Sequence, residues 1–392
     1  MVARSLLRST LHARWAWVAS ALLLISFCVA PDAKAQPGKA AVPFLQIAPD
    51  SRAAGMGNTG VALADNANAM WWNPAGLGFQ TDTQIGLTHA NWLPEFNADL
   101  FYEYLVGTYH VPGAGTFGAH VTFLNLGESE RRVGPGEEGL ISTFRSYDLA
   151  VGGSYGVKLS DRFAFGTSLR AIYSNLAPET QDIDSGTAFS ASFDLSGLYR
   201  TKPFTVANSD VTFSAGMNLA NMGPAISYNE VDEPLPMSLR FGTAFDIQFD
   251  EYNSLTITND FNKSLVSVDE EMRISDGDTT FVSNPDPFYQ SIFTSWGSAE
   301  GITGPDGEAE SLSVLQQFTI GTGLEYWYDD LFALRTGYFY EHPNNGNREF
   351  LTFGAGLRYN IIGVDISYLY AMEEESPLAN TLRFSLLLTF RK

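Results

Sequence analysis

From residue 84 onward, apolar and polar residues alternate with a period of two, which is the pattern of strands with one apolar face. Fourteen segments carry this alternation. They fall at about 84-93, 99-111, 115-126, 145-158, 162-174, 187-200, 210-221, 237-249, 252-262, 314-328, 331-342, 348-360, 361-372 and 380-390. An even number of such strands predicts an all-β fold, a 14-stranded antiparallel transmembrane β-barrel.

The connections between the segments alternate between short and long. Short connections such as VPGAG and SDR follow even-numbered strands, and long ones follow odd-numbered strands. The longest runs from Lys263 to Ser313. Bacterial barrels have brief turns on the periplasmic side and longer loops outside. The pattern therefore predicts that both termini are periplasmic and that the long loops face out of the cell.

The alternation also assigns the two faces of each strand. In the last strand, Phe384, Leu386 and Phe390 share one face, and Arg383 and Ser385 share the other. Because Arg or Lys facing lipid at mid-bilayer costs about 2–4 kcal/mol, the charged face should line the lumen. This reasoning places the following residues inside: Asp148, Lys158, Arg170, Asp194, Arg240, Arg335, Arg358 and Asp365. Their mixed signs predict ion pairs in a packed interior.

The first 35 residues have the pattern of a signal peptide. Arg4, Arg8 and Arg14 precede the apolar run WAWVASALLLISFCVA, and an A-x-A site predicts cleavage before Gln36. The single cysteine of the chain lies within this leader, so the mature protein should contain no disulfide and no thiolate metal site. We therefore predict a leader at 1-35, a hatch or plug at 36-83 and the barrel at 84-392.

Residues 43 to 79 are the least strand-like part of the mature chain. Pro43, Pro49 and Pro74 each remove a ladder donor, and several glycines loosen the backbone. The segment should form turns and short helical pieces. It is too small to bury a core alone, so we expect it to pack inside the barrel as a plug.

Two motifs in this segment resemble a known family. FLQIAPDSRAAGMGNTGVA resembles the opening signature of the PorV/PorQ family of outer-membrane barrels, and WWNPAGL resembles the NPA turn in the N-terminal hatch of FadL-type transporters. The residues that carry the resemblance are Pro49, Asp50, Arg52, Gly55, Met56, Gly57, Asn73, Pro74 and Ala75. Ser51 departs from the commonest signature, in which alanine is frequent.

The resemblance implies a function in the type IX secretion system. Members of this kind would bind the C-terminal signal domain of secreted cargo at the SprA/Sov-type translocon and carry it to a PorU-type attachment complex. It also implies an outer-membrane protein that is no enzyme and has no cofactor. The alternative is a FadL-like uptake channel for hydrophobic small molecules. A lipid-modifying enzyme is a third hypothesis, which would need Ser154 or another nucleophile beside a base.

The net charge of the chain limits the classes of partner that it can bind. The formal net charge is −21, and removal of a leader with net charge +3 leaves −24, which excludes a nucleic-acid binder. Charged residues make up only 17% of the chain and aromatic residues 13%, a mixture that suits strands in contact with lipid. The acidic balance indicates either a charged face in water or a salt-rich habitat.

Three motifs that could carry chemistry lack the context for it. Gly55, Gly57 and Gly60 match G-x-G-x-x-G, but neither a preceding strand nor a βαβ unit accompanies them. Ser154 lies in a G-x-S-x-G pattern inside a strand, whereas a hydrolase elbow needs a strand-to-helix turn. The histidines of the mature chain have no zinc-site spacing, so we predict no metal.

The long loop from Lys263 to Ser313 combines negative charge with aromatic residues. It has ten acidic and two basic residues, a net charge of −8. The aromatic residues that could bind a partner are Phe281, Phe288, Tyr289, Phe293 and Trp296. Clustered aromatic residues are typical of docking surfaces. The alternative is a lid that folds over the barrel mouth and packs its own aromatic residues, and the two hypotheses are compatible.

Overall fold

The structure is a computed structural model that describes residues 39–96, 98–132, 140–177, 186–229, 231–275, 278–303, 309–373 and 376–391. Within these ranges fourteen strands form a closed antiparallel barrel, as predicted. Each strand pairs with its neighbours in sequence, and the first closes on the last through partners such as Thr83 and Phe390. The predicted leader at 1-35 lies outside the described residues.

The strands are numbered along the chain. They are β1 Thr83–Asn91, β2 Phe101–Val111, β3 Gly115–Arg132, β4 Leu140–Lys158, β5 Phe163–Asn175, β6 Thr187–Arg200, β7 Ser209–Met222, β8 Ser238–Gln248, β9 Asn253–Ser264, β10 Phe318–Tyr328, β11 Phe332–Tyr340, β12 Glu349–Tyr359, β13 Ile362–Ala371 and β14 Leu382–Phe390. A short strand, Phe204–Val206, pairs with the start of β7.

The strand boundaries differ most from the prediction at β3 and β4. Both extend beyond the predicted ends at 126 and 145, and they pair with each other as far as Arg132 and Leu140. The outer part of β3, at 128-132, is polar on both faces, and the sequence LISTF at the outer part of β4 does not alternate, so both lack the pattern on which the prediction depended. β10 begins later than predicted, because Val314–Gln317 forms a 3-10 helix closed by a capping box from Ser313.

The two ends of the barrel differ in their connections. At one end, called the turn end, even-numbered strands continue into the next strand through short turns. The step from β12 to β13 is the tightest, and Asn360 adopts a left-handed backbone there with φ 56. The opposite end, called the loop end, carries the long connections and the extended β3–β4 hairpin.

The two faces of the wall follow the predicted alternation. Phe384, Leu386 and Phe390 are exposed on the outside, whereas Arg383 and Ser385 are buried inside. The same segregation holds around the barrel, where a band of exposed aromatic and aliphatic side chains surrounds a polar interior. This band is the surface that a bilayer covers.

The N-terminal segment crosses the lumen from one end to the other. The Ala41 N–H donates to the Pro234 carbonyl at the loop end (3.0 Å), and Thr116 Oγ1 donates to the Gln80 carbonyl near the turn end (2.9 Å). The segment folds into short helices at Pro43–Gln46, Ser51–Ala54, Ala69–Trp72 and Pro74–Phe79. The first described residues therefore lie at the loop end, whereas Arg391 lies at the turn end. The predicted mature terminus, Gln36, lies outside the described residues.

The loop between β9 and β10 has its own structure. It contains one hairpin, Val268–Ser275 with Asp278–Pro285, and a second, Ala299–Thr303 with Ala309–Leu312. Between the hairpins lies the helix Phe288–Thr294. No helix among the described residues is long and apolar enough to cross a membrane.

Candidate functional site

The first motif of the N-terminal segment sits backbone to backbone against the barrel wall. Gly57 adopts a left-handed conformation (φ 67), and its N–H donates to Thr352 Oγ1 at 2.8 Å. A Cβ added at Gly337 of β11 would lie 2.1 Å from Gly57 N, and one added at Gly323 of β10 would lie 2.5 Å from Met56 Cβ. Glycines on both sides therefore allow a contact that side chains would prevent.

Asp50 connects the two motifs. Its carboxylate caps the helix Ser51–Ala54 by accepting from the Ala53 N–H (2.9 Å), and it also accepts from Trp72 Nε1 (2.7 Å). Burial raises the pKa of Asp50 above its ordinary value, and these two hydrogen bonds oppose that rise. The signature aspartate is thus held between the start of one helix and the tryptophan next to Asn73.

The NPA turn forms the second contact with the wall. Asn73 Nδ2 donates to the carbonyls of Val61 (2.9 Å) and Gly197 (3.1 Å), while its Oδ1 accepts from the Ala75 N–H (3.1 Å). A Cβ added at Gly166 of β5 would lie 2.2 Å from Ala75 N. The turn is therefore fixed both by hydrogen bonds and by a wall that has no side chain there.

Asn73→Ala is expected to loosen this turn. The change leaves the buried carbonyl of Val61 and the Ala75 N–H with fewer partners, which costs about 1–3 kcal/mol. Limited proteolysis of the purified barrel should then cut the N-terminal segment faster. Asn68→Ala is the matched control, because the Asn68 side chain does not cap its helix. Equal cleavage of the two variants would contradict the role given to Asn73.

A chain of buried ion pairs joins the segment to β10, β11 and β13. Arg52 donates to both carboxylate oxygens of Glu325 (2.8 and 2.7 Å). Arg335 donates to Glu325 (2.6 Å) and to Asp365 (2.9 Å), and Arg358 donates to Asp365 (2.7 Å). The predicted ion pairing inside the lumen is therefore present.

Arg52 remains charged in this environment. Burial opposes the charge of the guanidinium, but Asp65 and Glu325 outweigh it and hold the pKa of Arg52 above its ordinary value. Arg52 Nη1 lies 2.5 Å from Asp65 Oδ1. Arg52 thus joins two parts of the N-terminal segment through Asp65 and joins the segment to the wall through Glu325.

The open space inside the barrel is divided. A cavity of about 330 Å³ lies at the turn end beside Asp330 and Arg358, and one of about 230 Å³ lies at the loop end beside Glu341. Within the N-terminal segment itself, a space of about 20 Å³ is lined by Arg52 and Trp72, among others, which is room for about one water molecule. A further cavity of about 80 Å³ lies between the segment and the wall. The segment thus divides the described open space of the lumen into separate cavities.

Beside the 230 Å³ cavity, one part of the loop end of the lumen is apolar and filled by the chain itself. Phe44 and Leu45 are buried in one cluster with Ile226 and Leu235 of the connection between β7 and β8. These side chains occupy the space that a hydrophobic molecule would need. The first described residues therefore fill the apolar part of the loop end.

The aromatic residues of the long loop lie outside the barrel. The Phe288 ring contacts Phe193, an outward residue of β6, at 5.8 Å between centroids. Phe193 shares the outer side with Leu169, which is exposed. Phe288 and Trp296 therefore pack against the outer wall, whereas the lid hypothesis placed these aromatic residues over the mouth. The reason is that apolar outward side chains of the wall provide the packing surface.

Solved structures share this fold at low sequence identity. One is a deltaS2S3 mutant of the monoaromatic hydrocarbon channel TodX (14% identity, TM-score 0.52, covering 87% of this chain and 97% of that chain). The toluene transporters TodX of Pseudomonas putida and TbuX of Ralstonia pickettii, each 14% identical, have TM-scores of 0.48 and 0.47 and cover 88% of this chain and 97% and 98% of their own. No curated protein matches the chain.

A family model described as type IX secretion system protein PorV matches residues 31–271, more than half of the chain. The chain belongs to the PorV family. The family and the barrel together make it an outer-membrane protein of type IX secretion. The match begins before the plug and continues into the loop after β9, so it includes both motifs.

The PorV-family motif residues come together inside the lumen. The nine predicted residues, from Pro49 to Ala75, lie in the segment that contacts the wall. Sequence reasoning missed their wall partners, above all Glu325, Gly323 and Gly337. The inward pair Gly321 and Gly323, two residues apart on one strand face, is a signal that could have indicated a close backbone approach.

The predicted aromatic set is divided between two environments. Phe288 and Trp296 are partly buried against the outer wall, while Tyr289 and Phe293 are exposed. The side chain of Phe281 lies outside the described residues.

Ser154, the candidate nucleophile, hydrogen-bonds Ser168 Oγ at 2.6 Å on the neighbouring strand. No metal-ligating group of His, Cys, Asp and Glu occurs among the residues that the structure describes.

Proposed function

We propose that this PorV-family barrel binds the C-terminal signal domain of secreted cargo at the SprA/Sov-type translocon and carries it to the PorU-type attachment complex. It acts without catalysis and without a cofactor. The turn end faces the periplasm, and the loop end faces outward and contacts these partners.

The observation that carries this proposal is the occupied lumen. Gly57 and Asn73 hold the N-terminal segment against opposite parts of the wall, and Phe44 packs in the apolar part of the loop end. A barrel plugged over its length has its large accessible surfaces at its two ends. Of these, the loop end carries the structured hairpins, which offer more surface for a folded domain than the short turns do.

Co-purification from cross-linked outer membranes tests the proposal. The tagged protein should recover both the translocon and cargo that carries the C-terminal domain. One variant replaces a whole hairpin, formed by the strands Val268–Ser275 and Asp278–Pro285, with a short linker. This variant should recover less cargo. The matched control shortens the turn around Phe204–Val206 at the opposite end. Recovery of neither translocon nor cargo by the unaltered protein would refute the proposal.

A FadL-like uptake channel for hydrophobic molecules is the second candidate. The apolar cluster around Phe44 at the loop end favours it, since ligand sites are mostly apolar. However, that space is filled by the chain's own side chains. A hydrophobic molecule retained in the purified barrel, identified by mass spectrometry, would favour uptake over cargo transport.

A further inference from the structure

The helix Phe288–Thr294, called the outer-wall helix, lies within the apolar band of the barrel. On the outer side of β6, Phe189 and Leu195 are 68% and 41% exposed. Phe193 lies between them on the same side and is covered by Phe288. Exposed apolar residues of the wall therefore lie along β6 on both sides of the position where the helix packs.

The outer-wall helix has two different faces. Phe288 and Ile292, one turn apart, pack toward the wall beside Leu219 and Leu239, which point outward from β7 and β8. The neighbouring face carries Tyr289 and Phe293, which are 58% and 65% exposed. Two large aromatic side chains thus extend away from the barrel at the level of its apolar band.

The sequence around this helix is uncharged although the loop is strongly acidic. The stretch PFYQSIFTSWG from Pro287 to Gly297 has no charged residue, whereas Asp286 and Glu300 are the nearest acids on either side. Loops in water are usually polar. The local absence of charge, within a loop of net charge −8, matches the composition of a surface in contact with lipid.

Lys263 provides an independent reason for the chain to cover the outer wall at this place. It pairs across the sheet with Leu239 and Phe318, so it points outward, and yet it is completely buried. Its ammonium donates to the carbonyl of Ser295 (3.0 Å) and to Gln317 Oε1 (2.6 Å). The Trp296 ring lies 5.4 Å from the Nζ atom. The segment that follows the helix therefore shields a cation that would otherwise face lipid.

We propose that the outer-wall helix is immersed in the bilayer, with Tyr289 and Phe293 in contact with lipid acyl chains. The helix widens the apolar band on the side of β6 to β9, and the residues directly after it cover Lys263. This inference is independent of the proposed cargo function. It assigns lipid, in place of a protein partner, to the two exposed residues of the predicted aromatic set.

Spin labelling tests the lipid contact. The only cysteine of the chain is Cys28 in the predicted leader, so Phe293→Cys and Tyr289→Cys each provide one labelling site in the mature protein. In proteoliposomes, power saturation compares collision with oxygen, which partitions into lipid, and with a water-soluble nickel chelate. Both labels should favour oxygen several-fold over the chelate, and so should the reference label at Met217→Cys on the outer wall.

Two results would overturn the proposal. The label at Lys202→Cys, in an exposed turn, serves as the aqueous control. If the Phe293 and Tyr289 labels collide with the chelate as readily as the Lys202 label, the helix lies in water. If they contact lipid in proteoliposomes but lose that contact in native outer-membrane vesicles while the Met217 label keeps it, a protein occupies this face.

Discussion

Deleting residues 43–79 is expected to convert a closed barrel into an ion-conducting pore. The deleted segment fills the lumen between the turn-end and loop-end cavities with buried side chains such as Phe44, Met56 and Trp72. Without it, water can connect the two ends of the lumen. Planar-bilayer recordings should show stable open channels for the deletion variant and rare openings for the intact protein. Unchanged conductance would contradict the plug.

A single substitution tests the same idea without removing a segment. Gly337→Ala places a Cβ 2.1 Å from Gly57 N, so the segment must move away from β11. Such overpacking costs about 1–3 kcal/mol, and channel openings should become more frequent. Gly153→Ala is the matched control, since its Cβ would lie 3.7 Å from the nearest atom, the carbonyl oxygen of Gly118.

Glu325→Gln is expected to destabilise the barrel strongly. The substitution keeps the shape of the side chain but removes the carboxylate that both Arg52 and Arg335 bind. Since Glu325 and Arg335 are fully buried, an uncompensated positive charge remains in the lumen. Breaking a buried ion pair in this way costs about 3–5 kcal/mol. The free energy of unfolding in urea, measured on the refolded barrel in vesicles, gives the loss.

An exposed ion pair provides the control for this loss. Glu130 pairs with Arg132 on the extended β3–β4 hairpin, where both side chains are well exposed. Glu130→Gln should change the free energy of unfolding by only about 0–1 kcal/mol, because water screens the pair. A loss for Glu325→Gln no larger than that for Glu130→Gln would show that the buried network adds little stability.

The number and order of the strands were predictable because each strand has one face in lipid. The exposed Phe384 and the buried Arg383 in β14 show how strongly the two environments select opposite residues. Where that contrast ends, prediction failed. The outer parts of β3 and β4, up to Arg132 and Leu140, have no regular alternation of apolar and polar residues, so the sequence does not mark them as strands.

The N-terminal motifs were predictable as a plug, but the partners that hold it were not. Gly57 contacts Thr352, which is 295 residues away, and Arg52 contacts Glu325, which is 273 residues away. The pattern of residues within a short stretch of sequence contains no information about such distant pairs. The position of Phe288 on the outer wall was missed for the same reason, because it depends on the partly buried Phe193 of a distant strand.

The path of the N-terminal segment has a consequence for the order of assembly. Ala41 is tied at the loop end and Gln80 at the turn end, so the segment passes through the ring formed by the fourteen strands. The ring closes where β1 meets β14, a junction between residues about 300 positions apart in the chain. Such distant pairings form late, after local hairpins. We therefore expect the N-terminal segment to lie among the strands before the ring closes, because a segment that arrived later would have to thread through the lumen from one end to the other.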